Sequence, residues 1–370
     1  MGIQLSSLDM HFLLKELKEL EGSRVDKVYN HGKESVYIQF HKSGVGKKIL
    51  RIVVGKSVFF AVAKSIDETP SGFCMALRKH LEGKFIDSIV HLEPERIFLL
   101  SFKSKDDVRK LYLEFFGKGN VILCSDVIID CLIKHKFRDR AILPKEVYKH
   151  PSMEYNVFNL KKIDVADLLK NSKKDKVVSS LAVELGLGGV YSEEVCLLSG
   201  VDKSTIPKKI NEDENKKLIN AIKKILKSKN KAQIVFDDKE VVGVVPVDLE
   251  IYKGYSGKKF SSFSEALDEY FTKELKLVQK EDSAHVKKID ELKRIIEEQK
   301  ETLTSMEKKE IENREKGEII YNNYALIKEV LDEVNKASKK HSWEEIKKKL
   351  KGHKVVKDLD VKDKMVVVEV

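Results

Sequence analysis

An α+β fold with an extended helical appendage is predicted by three observations along this 370-residue chain. Short segments of period-two hydrophobicity, separated by turn residues, fill most of residues 24–133, and only two helical stretches accompany them. A Gly-rich junction between two helical stretches follows at 177–205. From Ser264 to Gly317 the chain has neither Pro nor Gly in between, and it carries apolar residues at a seven-residue spacing. With 42% hydrophobic and 35% charged residues, two to four units with real cores are expected.

The first element is the stretch SSLDMHFLLKELKELEGSRVDKVY, residues 6–29. Ser6 or Ser7 caps a helix whose apolar face is Leu8, Phe12, Leu13 and Leu17 and which stops near Gly22. Asp9 falls in its first turn, at the positive end of the helix dipole; taken alone it completes the cap. Strands are expected at 24–30, 35–41, 48–54 and 57–63. A helix over 71–82, opened by Pro70-Ser71 and closed by Gly83, leads to strands at 85–92, 96–103, 109–116, 119–124 and 127–133. Many antiparallel strands with few helices make a sandwich-like unit.

At 185–189, Leu-Gly-Leu-Gly-Gly joins two short helices. Such a junction is either a helix-hairpin-helix, whose backbone amides face a phosphate unobstructed by side chains, or an ordinary Gly-terminated turn. Residues 203–231 then hold ten lysines against Glu212, Asp213 and Glu214. Ile219, Ile222, Ile225 and Leu226 supply a packing stripe, while Lys216, Lys217, Lys223, Lys224 and Lys227 stay solvated and attract a polyanion. Strands at 232–236, 240–245 and 248–252 are expected to return to the first sheet.

Beyond Ser264, Val278, Ile289, Leu292, Ile296, Leu303 and Met306 follow the heptad, interrupted by Asp282, His285, Gln299 and Glu310. This reads as one loosely held arm of a coiled coil, of roughly 50 residues and some 75 Å. Two helices at 319–334 and 342–346 and a strand, KMVVVEV, complete a small α/β tip. The expected units are 1–172, completed by strands in 231–260; 173–230; the arm 262–318; and 319–370. With one arm unpaired and a strand running to the last residue, a chain cut from a longer protein is expected.

A net charge of +10 points to a polyanionic partner, and only nine of the 70 basic residues are Arg. Lysines neutralise phosphate as point charges, so an Arg in a pocket carries more information than a Lys on a face. Cys74, Cys124, Cys131 and Cys196 include no CxxC pair, and no His lies at zinc-finger spacing; no metal or cofactor is implied, and buried reduced thiols fit a cytoplasmic location. No signal sequence and no apolar run near the roughly 18 residues of a membrane span is present, so no membrane partner is expected.

In the order CMALRKHLEGKFI (74–86), ERIFLLSF (95–102) and LYLEFFGKGNVIL (111–123), the chain resembles the archaeal-type N-terminal portion of the NFACT family. These are ribosome quality-control factors, NEMF in animals and RqcH in bacteria, also known as fibronectin-binding protein A-like proteins. The resemblance implies an N-terminal domain shaped like that of formamidopyrimidine-DNA glycosylases, and a helix-hairpin-helix domain where the LGLGG segment lies. It implies a non-enzymatic scaffold that docks on the large ribosomal subunit carrying peptidyl-tRNA and recruits aminoacyl-tRNA, alanyl-tRNA above all, for C-terminal tailing.

The family's tRNA-handling acid and Asp-Arg pair correspond to Asp9 and to Glu95-Arg96, with Glu where the family has Asp. Arg78, in Arg78-Lys79-His80, is a further candidate for tRNA contact. Gly186, Gly188, Gly189, Lys216, Lys217, Lys223 and Lys224 are candidates for the phosphate backbone. In 134–140, Phe137 offers a stacking platform and Arg138 and Arg140 offer charge. The alternative is a DNA-binding or repair module of the glycosylase-like fold, but those enzymes need an N-terminal Pro amine and a neighbouring Glu, and this chain begins Met1-Gly2-Ile3-Gln4. A third reading is a coiled-coil adaptor, and the arm itself offers a surface for a dimer.

Overall fold

The computed structural model describes residues 3–369 except 68, 106, 138, 139 and 152, with the backbone alone at 162, 163, 275–287 and 290. Two compact units are present, Met1–Lys276 and Leu277–Val370. The first unit opens with α1 (Ser7–Leu17), then β1 (Arg24–His31), β2 (Ser35–Lys42), β3 (Gly46–Val53), β4 (Ser57–Phe60) and α2 (Gly72–Leu81). There follow β5 (Phe85–His91), β6 (Ile97–Ser104), β7 (Asp107–Glu114), β8 (Asn120–Cys124) and β9 (Ile128–Cys131), and then a small hairpin of β10 (His135–Lys136) and β11 (Ala141–Ile142).

β1 to β9 form one antiparallel sheet in the order β4-β3-β2-β1-β5-β6-β7-β8-β9. Two meanders are thus joined at the centre, where β1 meets β5 through a single register pair, Arg24 with Phe85. In place of two separate facing sheets, the two halves of one sheet share a core. Ile38, Phe40, Leu50 and Ile52 from one half and Phe98, Leu100, Leu111 and Leu113 from the other pack together with Leu13 and Leu17 of α1 and Leu77 and Leu81 of α2. Each such side chain contributes about 1.5–3 kcal/mol by leaving water. The halves also touch at their turns. A Cβ on Gly119 would lie 2.1 Å from the Cα of Gly55, so neither position admits a side chain.

Next come α3 (Lys162–Asn171), α4 (Val177–Val183), α5 (Gly189–Ser199) and α6 (Glu212–Leu226). They build a second core from Leu168, Leu181, Leu187, Val195, Leu218, Ile222 and Ile225, joined by Leu8 and Phe12 of α1. The first helix therefore serves two cores, with Leu8 and Phe12 on one face and Leu13 and Leu17 on another.

β12 (Gln233–Asp237), β13 (Glu240–Val245) and β14 (Ser256–Lys259) form a sheet of their own, ordered β13-β12-β14. The expectation that the segments at 232–236, 240–245 and 248–252 rejoin the first sheet is therefore corrected: 250–252 is a 3-10 turn, and the third strand is 256–259. Strand alternation explains the difference, because Ile234 and Val244 enter the first core while Val235 and Val245 enter the second. Strands apolar on both faces belong between two layers.

α7 (Phe263–Asn322) begins inside the first core, where Phe263, Ala266, Leu267 and Phe271 are buried and Phe271 stacks on Phe59 at 5.6 Å. In the second unit α7 runs on with Ile289, Leu292, Ile296, Leu303 and Met306 exposed. The side chains of Val278, Asp282 and His285 lie outside the described residues. α8 (Tyr324–Ser338), α9 (Trp343–Lys349), β15 (Val356–Asp360) and β16 (Met365–Val368) enclose a small core of Val330, Val334, Ile346, Val356 and Leu359. Among the described residues no helix is long and apolar enough to cross a membrane.

Candidate functional site: a cavity between the first helix and a glycine hairpin

A cavity of about 560 Å³ in the first unit is lined by Asp9, by Glu95 and Arg96, and by Gly186, Gly188 and Gly189. These residues come from α1, from the connection into β6, and from the α4–α5 junction, so three separated segments meet at one place. Asp9 is held first by its own cap: the Ser6 amide and hydroxyl donate to Oδ2 at 2.9 and 2.7 Å. The far wall supplies a third donor. The Tyr191 hydroxyl, on α5, reaches Asp9 Oδ1 at 2.6 Å, and both side chains are buried. Burial pushes the Asp9 carboxyl above its ordinary range, and the donors Tyr191 and Ser6 oppose that shift. The Tyr191 phenol is pushed well above its ordinary range by burial and by the charge of Asp9.

Glu95 is also buried, and its Oε1 has no hydrogen-bond partner among the described residues. Burial raises its carboxyl above the ordinary range against the opposing influence of His150, the Met153 main chain, Arg140 and Arg96. The short connection carrying it is anchored from beneath. His91 Nε2 bonds the Glu95 carbonyl at 2.8 Å, and Ser7 Oγ donates to the Pro94 carbonyl at 2.7 Å. Burial keeps His91 neutral, down to about 4. Arg96 donates to Gln4 Oε1 at 3.1 Å, and Gln4 in turn donates to the carbonyls of Gly55 at 2.5 Å and Phe115 at 3.0 Å. Gln4 thus ties the cavity wall to the place where the sheet halves meet.

On the opposite side α5 starts at Gly189 with no side-chain cap. Its N-cap, Gly188, has φ +77° and ψ 169°, a backbone region that is essentially Gly-only. The cavity therefore combines the positive end of a helix, one guanidinium and two buried carboxylates. That set can accept hydrogen bonds from a ligand's donors while holding an anion nearby. Among the described residues no group of His, Cys, Asp and Glu could hold a metal ion.

The family model for the NFACT N-terminal and middle domains matches residues 6–366. The chain belongs to the NFACT family. It is 32% identical over 372 residues to the archaeal Rqc2 homolog aRqcH of Methanocaldococcus jannaschii, covering 96% of this chain and 55% of that protein. It is 24% identical to the ribosome quality control complex subunit NEMF homolog of Drosophila melanogaster, covering 97% of this chain and 42% of that one. This NFACT chain thus spans about half the length of these relatives. The crystal structure of the fibrinogen binding protein from Staphylococcus aureus has the same fold, with a TM-score of 0.61 and 17% identity over 72% of this chain and 98% of that one.

The other candidate residues of the NFACT chain lie elsewhere. Arg78 is outside the cavity; its Nε donates to the Val28 carbonyl at 2.8 Å and its guanidinium lies over Tyr29 at 5.7 Å. Arg140 is not the free cation expected of an RNA contact, because its guanidinium forks onto Glu114 at 2.6 and 3.2 Å in a mostly buried pair that Tyr148 also joins. A carboxylate in that environment needs a charged partner, and Arg140 supplies it. Phe137 is 45% exposed with the Arg140 guanidinium over its ring at 4.9 Å, and Arg138 lies outside the described residues. Lys216, Lys217, Lys223 and Lys224 project from α6, exposed and away from the cavity, with Lys216 paired to Asp213 at 3.1 Å.

Sequence reasoning missed Tyr191, Gln4 and His91. Tyr191 sits at the third position of α5, in a run of residues that reads as ordinary core. Nothing local distinguishes a tyrosine whose ring fills a core from one whose hydroxyl meets a carboxylate 182 residues away.

Proposed function

We propose that this chain acts in the cytoplasm as a ribosome quality-control factor. It binds the large ribosomal subunit carrying a stalled peptidyl-tRNA and recruits aminoacyl-tRNA, alanyl-tRNA above all, for C-terminal tailing. It is a scaffold that leaves peptide-bond formation to the ribosome. The observation that carries this reading is the convergence of Asp9, Glu95 and Arg96 with the Gly186–Gly189 hairpin on one cavity. Two carboxylates repel a phosphate backbone unless they read donors on base edges or 2′-hydroxyls, so the cavity is a place of selection more than of affinity. The names of the relatives, aRqcH and NEMF homolog, support the same assignment.

In this reading α4 and α5 form a helix-hairpin-helix that meets the phosphate backbone through Gly186, Gly188 and Gly189, and Lys216, Lys217, Lys223 and Lys224 supply sequence-independent charge. The apolar stripe Ile289, Leu292, Ile296, Leu303 and Met306 belongs to a coiled-coil arm that contacts the ribosome and offers a dimer surface. The test is filter binding of the chain and of Asp9→Ala, Glu95→Ala and Arg96→Ala to purified tRNAs, plasmid DNA and ribosomes across salt. Asp9→Ala and Glu95→Ala keep bulk tRNA affinity within about tenfold, roughly 1.4 kcal/mol, and lose preference among tRNAs. Arg96→Ala costs more, because it removes the guanidinium that lines the cavity beside the two carboxylates. Wild-type tRNA preference in all three variants, or affinity indifferent to salt, would sink the assignment.

A further inference from the structure

We propose that Tyr191 is the specificity-determining residue of the cavity, holding Asp9 in one orientation and leaving that carboxylate a single open acceptor position. The identity of the ligand, and only that, rests on the tRNA reading above. A carboxylate has about four acceptor positions. Ser6 fills two on Oδ2, through its amide at 2.9 Å and its hydroxyl at 2.7 Å, and Tyr191 fills one on Oδ1 at 2.6 Å. Among the described residues one position on Oδ1 remains without a donor, and both Asp9 and Tyr191 line the cavity.

The two sets of donors differ in what they tie together. Ser6 lies in the same helical cap as Asp9 and moves with it. Tyr191 comes from the opposite wall, its ring 2% exposed and packed in the second core, so its hydroxyl fixes Asp9 against α5. The same bond favours the charged form of a carboxylate that burial otherwise pushes toward protonation. A protonated Asp9 would donate where the ionised form accepts, and would refuse a ligand that brings a donor. The charged and titratable groups facing this pair are Tyr252 from the 250–252 turn, Glu194 further along α5, Glu95 and Arg96 across the cavity, and, behind Ser7, His91 of β5 with His11 of α1. His91 is neutral throughout the range used below.

Tyr191→Phe keeps the ring and removes the donor. The Asp9 carboxyl is followed by carbon NMR in the full chain, its signal assigned by its loss in Asp9→Asn. Its titration midpoint should rise by about one pH unit in Tyr191→Phe. In competition binding between alanine-accepting and other purified tRNAs from roughly pH 6 to 8.5, the loss of selectivity in Tyr191→Phe relative to wild type should be greatest at the acid end and smallest at the alkaline end. Asp9→Asn should lose it at every pH. If Tyr191→Phe folds poorly, difluorotyrosine at position 191, a stronger donor, should move the midpoint down instead. A midpoint indifferent to both changes overturns the proposal whatever the ligand is. A shifted midpoint in a protein that does not discriminate among tRNAs upholds the positioning of Asp9 and overturns the tRNA reading.

Discussion

Glu16, in the last turn of α1, accepts the amides of Phe263 and Ser264 at 2.7 and 2.9 Å, and so caps a helix that starts 247 residues later. Asn230 adds a third donor to the same carboxylate at 2.9 Å. Removing the acceptor leaves two amides unsatisfied at the positive end of α7. Glu16→Ala should therefore cost about 1–2 kcal/mol in urea denaturation, and Glu16→Gln, which keeps one carbonyl acceptor, less than that. Equal stability of all three proteins would show that the α7 root is held by packing alone.

His91 supports the connection that carries Glu95 and Arg96, and burial holds it neutral to about 4. Its folded value lies below the ordinary 6.5, so the folded state binds fewer protons than the unfolded chain. The resulting stability is present above the ordinary value and is lost as pH falls from 6.5 to about 4. Across that window wild type should lose about 3 kcal/mol more than His91→Gln. Parallel stability curves for the two proteins would contradict this.

Gly188 occupies a backbone region closed to other residues while its Cβ position faces Ser6 at 3.7 Å. Strain, more than contact, should dominate the cost of Gly188→Ala, at about 1–3 kcal/mol. A bulky residue there should in addition lower tRNA affinity, with the nine-stranded sheet retained by circular dichroism. Unchanged RNA binding would make the hairpin purely structural.

A chain ending after Lys276 retains the four side chains of α7 that enter the first core. It should melt cooperatively, keep tRNA affinity and lose ribosome affinity. A chain ending at residue 262 forfeits Phe263, Ala266, Leu267 and Phe271, and with them more than about 5 kcal/mol of burial. If the shorter chain were equally stable, the root of α7 would be dispensable to the first unit.

The positions of many of the strands, the capped first helix and the long Pro-free helix were legible in the sequence because each depends on near neighbours: alternation, a capping serine, a turn glycine. The expected strands at 24–30, 35–41 and 119–124 coincide with β1, β2 and β8 to within a residue or so. Asp9, Glu95 and Arg96 were also legible as candidates, from the resemblance rather than from local pattern. Tertiary structure alone brought them to one cavity with the glycine hairpin, placed Tyr191 on Asp9, committed Arg140 to Glu114 and put β12 and β13 between two cores. Those outcomes hang on which buried charge finds which partner and which apolar face finds which layer. Distant segments make these choices together, because an unpaired buried carboxylate or an uncovered apolar strand costs more than any local preference supplies.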